Sequence, residues 1–161
     1  MNLLVADAGP LHYLVQVGAA DVLPVLAGRV LLADAVWLEL REPAAATAVR
    51  EWAASLPTWV ELRQAPTATG LPHQLSVADQ ACIGLALETQ ALLLMDDRRG
   101  RRAAEERGVR TIGTLGILEA ASAKGLLPLA EAIRRLRQTS IYLADELYGA
   151  ALERDLYRQR I

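Results

Sequence analysis

The sequence predicts an α/β domain, doubly wound around a mostly parallel central sheet. Short apolar runs without alternation recur at 3–6, 30–32 and 91–95, the pattern of strands buried on both faces. Helical segments separate them, as parallel strand–helix–strand connections require. The first and last of these runs stop abruptly at aspartate, at Asp7 and at Asp96-Asp97. Open parallel sheets carry their chemistry just beyond the carboxyl ends of the strands.

The elements follow in order. After the first strand, A-G-P leads into a helix from near Pro10 to about Val17, with Gly18 as its stop. A short helical stretch over 21–26 ends at Gly28, and 30–32 is the second strand. Asp34 is a natural N-cap for a helix through Glu42. An alanine-rich amphipathic helix is expected over 44–56 and a minor strand over 60–62. Residues 64–75, with their Pro, Thr and Gly, are the longest loop candidate and could overhang a site. Ser76-Val77-Ala78-Asp79 has the spacing of a capping box and opens a helix to about Thr89. The strand 91–95 is followed by a helix over about 100–107 that Gly108 ends, and by a strand over 109–112. Thr114 caps a helix that Gly125 ends, and Pro128 starts another through Arg137. The tail from about 145 is helical, with Leu147, Tyr148, Ala151, Leu152 and Leu156 expected on one side.

With 161 residues, the chain is expected to form a single domain over 1–161. A hydrophobic content of 53% excludes disorder. No run approaches the roughly 18 apolar residues of a membrane span, and M-N-L-L-V-A has no basic leader region, so a cytoplasmic protein is expected. The lone Cys82 forms no internal disulfide and reads as a small buried hydrophobe. His12 and His73 are isolated, which excludes a zinc-cluster class.

The formal net charge of −2 does not mark a nucleic-acid binder, but its distribution is informative. Arg98, Arg99, Arg101 and Arg102 crowd directly behind the acidic pair. Arginine offers planar, bidentate contacts to phosphate; the same residues could equally form a solvated helix face.

The acidic residues form the main candidate site: Asp7, Glu39, Asp79 and the pair Asp96/Asp97. Hard divalent cations such as Mg²⁺ or Mn²⁺ prefer oxygen ligands and keep several waters beside a few carboxylates. Such ions activate water and stabilise the oxygens of an in-line phosphodiester displacement. Each acid also has a structural alternative. Asp7 could cap its helix, Glu39 could be solvated, and Asp79 is already the acid of a capping box. Residues three, four and seven beyond Asp79 are Cys82, Ile83 and Ala86, however, so it heads an apolar stripe and is partly desolvated. Along a strand Asp96 follows the side of Leu94, and Asp97 that of Met95. Both sides are apolar, so alternation does not choose between them.

The runs L-L-V-A-D-A-G-P-L, A-V-W-L-E-L, S-V-A-D-Q-A-C-I-G-L-A and A-L-L-L-M-D-D-R-R-G-R-R-A-A, in this order, resemble the motifs of PIN domains. G-T-L-G-I-L-E-A, A-K-G-L and Y-L-A-D-E-L-Y are similar to the predicted nucleic-acid-binding PIN proteins related to VapC toxins. The resemblance implies a three-layer α/β/α fold, a Mg²⁺ or Mn²⁺ site and endoribonuclease activity on RNA. It also implies a small antitoxin partner and a homodimer. Carried over by position, the family's acids fall on Asp7, Glu39, Asp79 and Asp97, with Asp96 as a further metal ligand or, in a register shifted by one, the fourth acid. Arg98, Arg99, Arg101 and Arg102 would hold substrate phosphates. The chain departs from many PIN domains in having Ala8 and Gly9 after the first acid and Met95 two places before the fourth.

Two other classes fit poorly. A phosphorelay receiver places its acidic pair after the first strand and a lysine after a late one, whereas Lys124 lies in a helix. G-T-L-G at 113–116 is not the G-x-G-x-x-G of a dinucleotide-binding domain. The rival from another class is a non-catalytic nucleic-acid-binding module on the same scaffold.

Overall fold

A computed structural model describes residues 1–65 and 70–161. Five strands form one all-parallel sheet in the order β3-β2-β1-β4-β5: β1 (Leu3–Ala6), β2 (Arg29–Ala33), β3 (Val60–Arg63), β4 (Leu92–Leu94) and β5 (Thr111–Ile112). Leu4, Val5 and Ala6 are all 0% exposed. Successive strand residues point to opposite faces, so helices cover the sheet on both sides, as its unalternating runs require.

The described residues form nine helices: α1 (Ala8–Gln16), α2 (Leu23–Leu26), α3 (Asp34–Leu40), α4 (Thr47–Ala54), α5 (Val77–Thr89), α6 (Arg98–Glu106), α7 (Thr114–Ala123), α8 (Leu129–Leu136) and α9 (Asp145–Arg160). α5 lies across β1, β2 and β4, with α3 and α6 beside it; α7 packs on α1, α2, α8 and α9. From β1 the chain builds outward through β2 to β3, then crosses back to place β4 on the other side of β1. The crevice between β1 and β4 is therefore the topological switch point, where parallel sheets open for ligands. Asp7 and Asp97 leave their strands there.

Several boundaries differ from the sequence expectation. α1 begins at Ala8, with Asp7 at the N-cap position, and Pro10 sits within its first turn, where its missing N–H would have had no helical acceptor. α3 stops at Leu40, α4 is shorter than 44–56, and β3 extends to Arg63. Arg29 on β2 forms a bidentate pair with Glu61 on this edge strand. Gly108 and Gly125 end α6 and α7 with φ of +83° and +73°, as expected of glycine stops. Of the expected loop over 64–75, residues 66–69 lie outside the described residues.

The tail helix needs a larger correction. Tyr148 and Ala151 are buried as expected, but Leu147 and Leu156 are 50% and 54% exposed, and Asp155 is buried. The 3.6-residue period places Tyr148, Ala151, Leu152 and Asp155 on one line and swings Leu147 and Leu156 off it. Asp155 is satisfied by Ser122 Oγ at 2.9 Å and Gln159 Nε2 at 2.8 Å.

Candidate metal centre and nucleic-acid cleft

Asp7 is the deepest member of the acidic group. Leu94 accepts its backbone N–H at 3.0 Å, which ties the end of β1 to the end of β4. The residue is 6% exposed. Its side chain shares a hydrogen bond with that of Asp79. Burial first, then the charge of Asp79, pushes the Asp7 carboxyl up to about 7, against a lowering effect of the Ala8 N–H. A smaller upward push comes from Glu39.

Asp79 reaches this position because α5 starts in a capping box. Ser76 Oγ accepts the Asp79 N–H at 3.0 Å, which sets the first turn and aims the Asp79 side chain back over the switch point. Asp79 is half-buried, and desolvation raises its pKa; Asp97 pushes in the same direction, while the bonds from Asp7 and Ser76 oppose it. Glu39, exposed on α3, is raised by partial burial, then by Asp79 and Glu42. Asp7, Glu39, Asp79 and Asp97 thus lie within one another's electrostatic reach, as a chain from Glu39 through Asp7 and Asp79 to Asp97.

The two aspartates after β4 diverge. Asp97 caps α6, its Oδ2 accepting the Gly100 N–H at 2.8 Å. The turn is tight because a Cβ at Gly100 would run into Met95 Sδ. Asp96 turns the other way: Oδ1 accepts the Thr114 N–H at 2.7 Å and Oδ2 the Thr114 hydroxyl at 2.6 Å. Asp96 therefore caps α7, the helix after the neighbouring strand β5, and does not serve as the further metal ligand the resemblance implied. Thr114, expected to be the cap itself, is the first residue of α7 and supplies the donors. The cause is strand register: Leu94 pairs with Ile112, which brings Asp96 level with Thr114. Both Asp96 oxygens are engaged there, away from the carboxylate chain.

Cys82 is buried as expected, with a further contact that the helical pattern did not reveal. Its Sγ donates to Asp7 Oδ1 at 3.6 Å. Burial, together with Asp7 and Asp79, drives its thiol pKa well above the ordinary value, so it stays a protonated donor.

Asp79 and Asp97 border an open cleft of about 800 Å³, with Arg98, Arg99 and Arg102 along its other wall. Pro72, Gln74 and Leu75, the described end of the long loop, also line it. Arg101 is the exception among the expected phosphate ligands: its Nε donates to Thr111 Oγ1 at 3.1 Å, toward β5. At about 100° per residue, residues 98, 102 and 99 span one arc of the helix and 101 falls beyond its edge, on the side of β5. Glu39 borders a separate, smaller cavity of about 310 Å³ with His12, Tyr13 and Ser140. Burial lowers the His12 pKa.

The donor set is all oxygen, the chemistry that hard divalent cations select. Among the described residues, no three Asp, Glu, His or Cys side chains converge into a group that could hold an ion by themselves. A paired Asp7–Asp79 sharing one proton suits an ion of the Mg²⁺ type, which takes one or two carboxylates and retains water for the remaining positions. The residues fit such an ion.

A family model described as a PIN domain matches residues 3–155 of the chain. No curated protein matches it. Among the described residues, no helix is long and apolar enough to cross a membrane.

Proposed function

The chain belongs to the PIN-domain family, whose members are generally nucleases using divalent metals, and from that premise we propose that it is a Mg²⁺- or Mn²⁺-dependent endoribonuclease. The observation that carries the reading is the buried Asp7 carboxyl hydrogen-bonded to Asp79 at the switch point, with Glu39 and Asp97 in electrostatic reach. Carboxylates held together this way need a proton or a cation between them.

In this reading Asp7 and Asp79 hold the ion, Asp97 acts on it through retained water, and Asp96 is left out because Thr114 occupies both its oxygens. A bound ion would supply Lewis acidity toward a phosphate and its water. Held near 7 by burial and Asp79, the Asp7 carboxyl gives up its proton readily at neutral pH and would then be free to hold the ion. Glu39, exposed to solvent, accepts a proton from the attacking water as the water's oxygen bonds to phosphorus; the phosphorus–oxygen bond to the departing ribose oxygen breaks, and that oxygen takes a proton from solvent. Arg98, Arg99 and Arg102 hold flanking phosphates along the cleft.

The motif resemblance to VapC-related proteins supports a toxin role in the cytoplasm, with a small antitoxin and a second copy of the chain as partners. A cleavage assay on purified single-stranded RNA with added Mn²⁺ or Mg²⁺ tests the reading. Cleavage by the native protein and none by Asp7→Asn is expected. Metal-independent RNA binding without cleavage by either protein would instead favour the non-catalytic binding module.

A further inference from the structure

Two cavities of different character border the acids. The cleft bordered by Asp79 and Asp97 is walled by three arginines, Arg98, Arg99 and Arg102. The cavity on the Glu39 side, about 310 Å³, has among the described residues lining it no arginine or lysine. It offers two rings, His12 and Tyr13, set edge to face with centroids 5.7 Å apart and planes at 83°. It also offers the Ser140 hydroxyl and the open backbone at Gly9, where a Cβ would meet nothing within 4 Å. Its size is at the lower end for ligand pockets, which run from about 300 to 1,000 Å³.

We propose that this Glu39-side cavity is a nucleobase subsite, which takes the single unpaired base next to the phosphate held at the acids. The proposal rests on the nuclease reading and names the part of the substrate that reading leaves unassigned. A strand crossing the acids presents backbone charge on the arginine side, where it is neutralised. At the Glu39 cavity it meets, among the described lining residues, no cation for phosphate but two rings and a hydroxyl. Unstacked bases are recognised by this combination of aromatic or histidine stacking and edge hydrogen bonds. The cavity is too small for a stacked duplex, so the substrate is single-stranded at the nucleotide that enters it.

The subsite also explains a feature of α1. His12 and Tyr13 follow Asp7 on the same short helix, so the helix that leaves the metal centre carries the base platform with it. Ser140, from the segment after α8, also lines the cavity. Specificity at this nucleotide would therefore be set by three side chains, none of which belongs to the proposed ion ligands.

The test uses the full chain carrying Asp7→Asn, so that RNA stays intact, and fluorescent single-stranded RNA pentamers that differ only in the central base. Removal of a stacking platform costs binding about five- to a hundredfold. His12→Ala is expected to weaken the best pentamer by at least fivefold and to level the preference among the four. His12→Phe, which restores a ring face, should recover most of the affinity. Unchanged affinity and preference in His12→Ala, with RNA binding still dependent on Arg98 and Arg102, would overturn the subsite and leave the nuclease reading standing. If no pentamer binds and Arg98→Ala/Arg102→Ala changes nothing, the nucleic-acid reading falls, and the subsite with it. Tighter binding of the matching DNA pentamers would overturn RNA as the strand that enters it.

Discussion

Asp7 and Asp79, 72 residues apart in sequence, share one hydrogen bond between their carboxyl groups at the open ends of β1 and β4. One of them must be protonated to make that bond, and the deeper one, Asp7, is held near 7. The pair is thus a proton site in the metal-free chain and, in the proposed function, the place a divalent ion would take once the proton leaves.

The first prediction concerns pH and stability without metal. An unfolded aspartate titrates near about 3.9, whereas burial and Asp79 raise Asp7 to about 7 in the fold. A raised acid binds its proton more tightly when folded. Its contribution to stability is complete below about pH 4, declines as pH rises, and is gone above about 7. Thermal unfolding in EDTA should therefore show a higher melting temperature at pH 5.5 than at pH 8. Asp7→Asn should reduce that difference substantially. Superimposable pH dependence in the two proteins would assign the titration elsewhere.

Metal should reverse this dependence. Ligation requires the ionised carboxylate, so Mn²⁺ or Mg²⁺ competes with the proton and binds better at pH 8 than at pH 5.5. An ion at a hundredfold excess over its dissociation constant stabilises by about 2.7 kcal/mol, or roughly 5–10 °C for a domain of this size. Calorimetry at both pH values checks this, with Asp79→Asn expected to lose most of the shift. A melting temperature indifferent to millimolar Mn²⁺ at pH 8 would count against the centre.

Asp96 and Asp97 should separate cleanly. Asparagine caps a helix about as well as aspartate, so Asp97→Asn keeps the Gly100 bond and changes stability by less than about 0.5 kcal/mol. Its cleavage rate should fall by about a hundredfold or more. Asp96→Asn loses an acceptor for one of the two Thr114 bonds and should cost about 1–3 kcal/mol with cleavage largely retained. Melting curves and cleavage rates for both variants decide it; exchanged phenotypes would reassign the fourth acid to Asp96.

The arginines should divide in the same way. Arg98→Ala/Arg102→Ala removes two cleft-facing cations, which should weaken RNA binding and lower the slope of log affinity against log salt by about 1.4. Arg101→Ala breaks the bond to Thr111 and should lower the melting temperature while leaving that slope intact. Titrations at several salt concentrations distinguish them. An unchanged slope in the double variant would make those arginines a solvated face.

Local chemistry carried much of this molecule. Unalternating apolar runs marked the strands because a buried parallel sheet offers no wet face, and the Ser76–Asp79 spacing marked the start of α5 because a capping box is a contact within one turn. The acids beyond strand ends were visible for the same reason: a parallel sheet presents all its carboxyl ends on one edge. What only the tertiary structure decided depended on register and order. The sequence alone could not choose between Asp96 and Asp97, because both continue an apolar strand; pairing of Leu94 with Ile112 drew Asp96 onto Thr114 and left Asp97 to the cleft. Cys82 looked like any small core residue until α5 was laid across β1 and its thiol met Asp7. Arg101 looked like its neighbours until β5 took its place beside α6. The cavity at His12 and Ser140 joins segments more than a hundred residues apart, and no periodicity within either segment encodes that meeting. It exists because β1 is the central strand, so that elements from both ends of the chain pack around the helix that follows it.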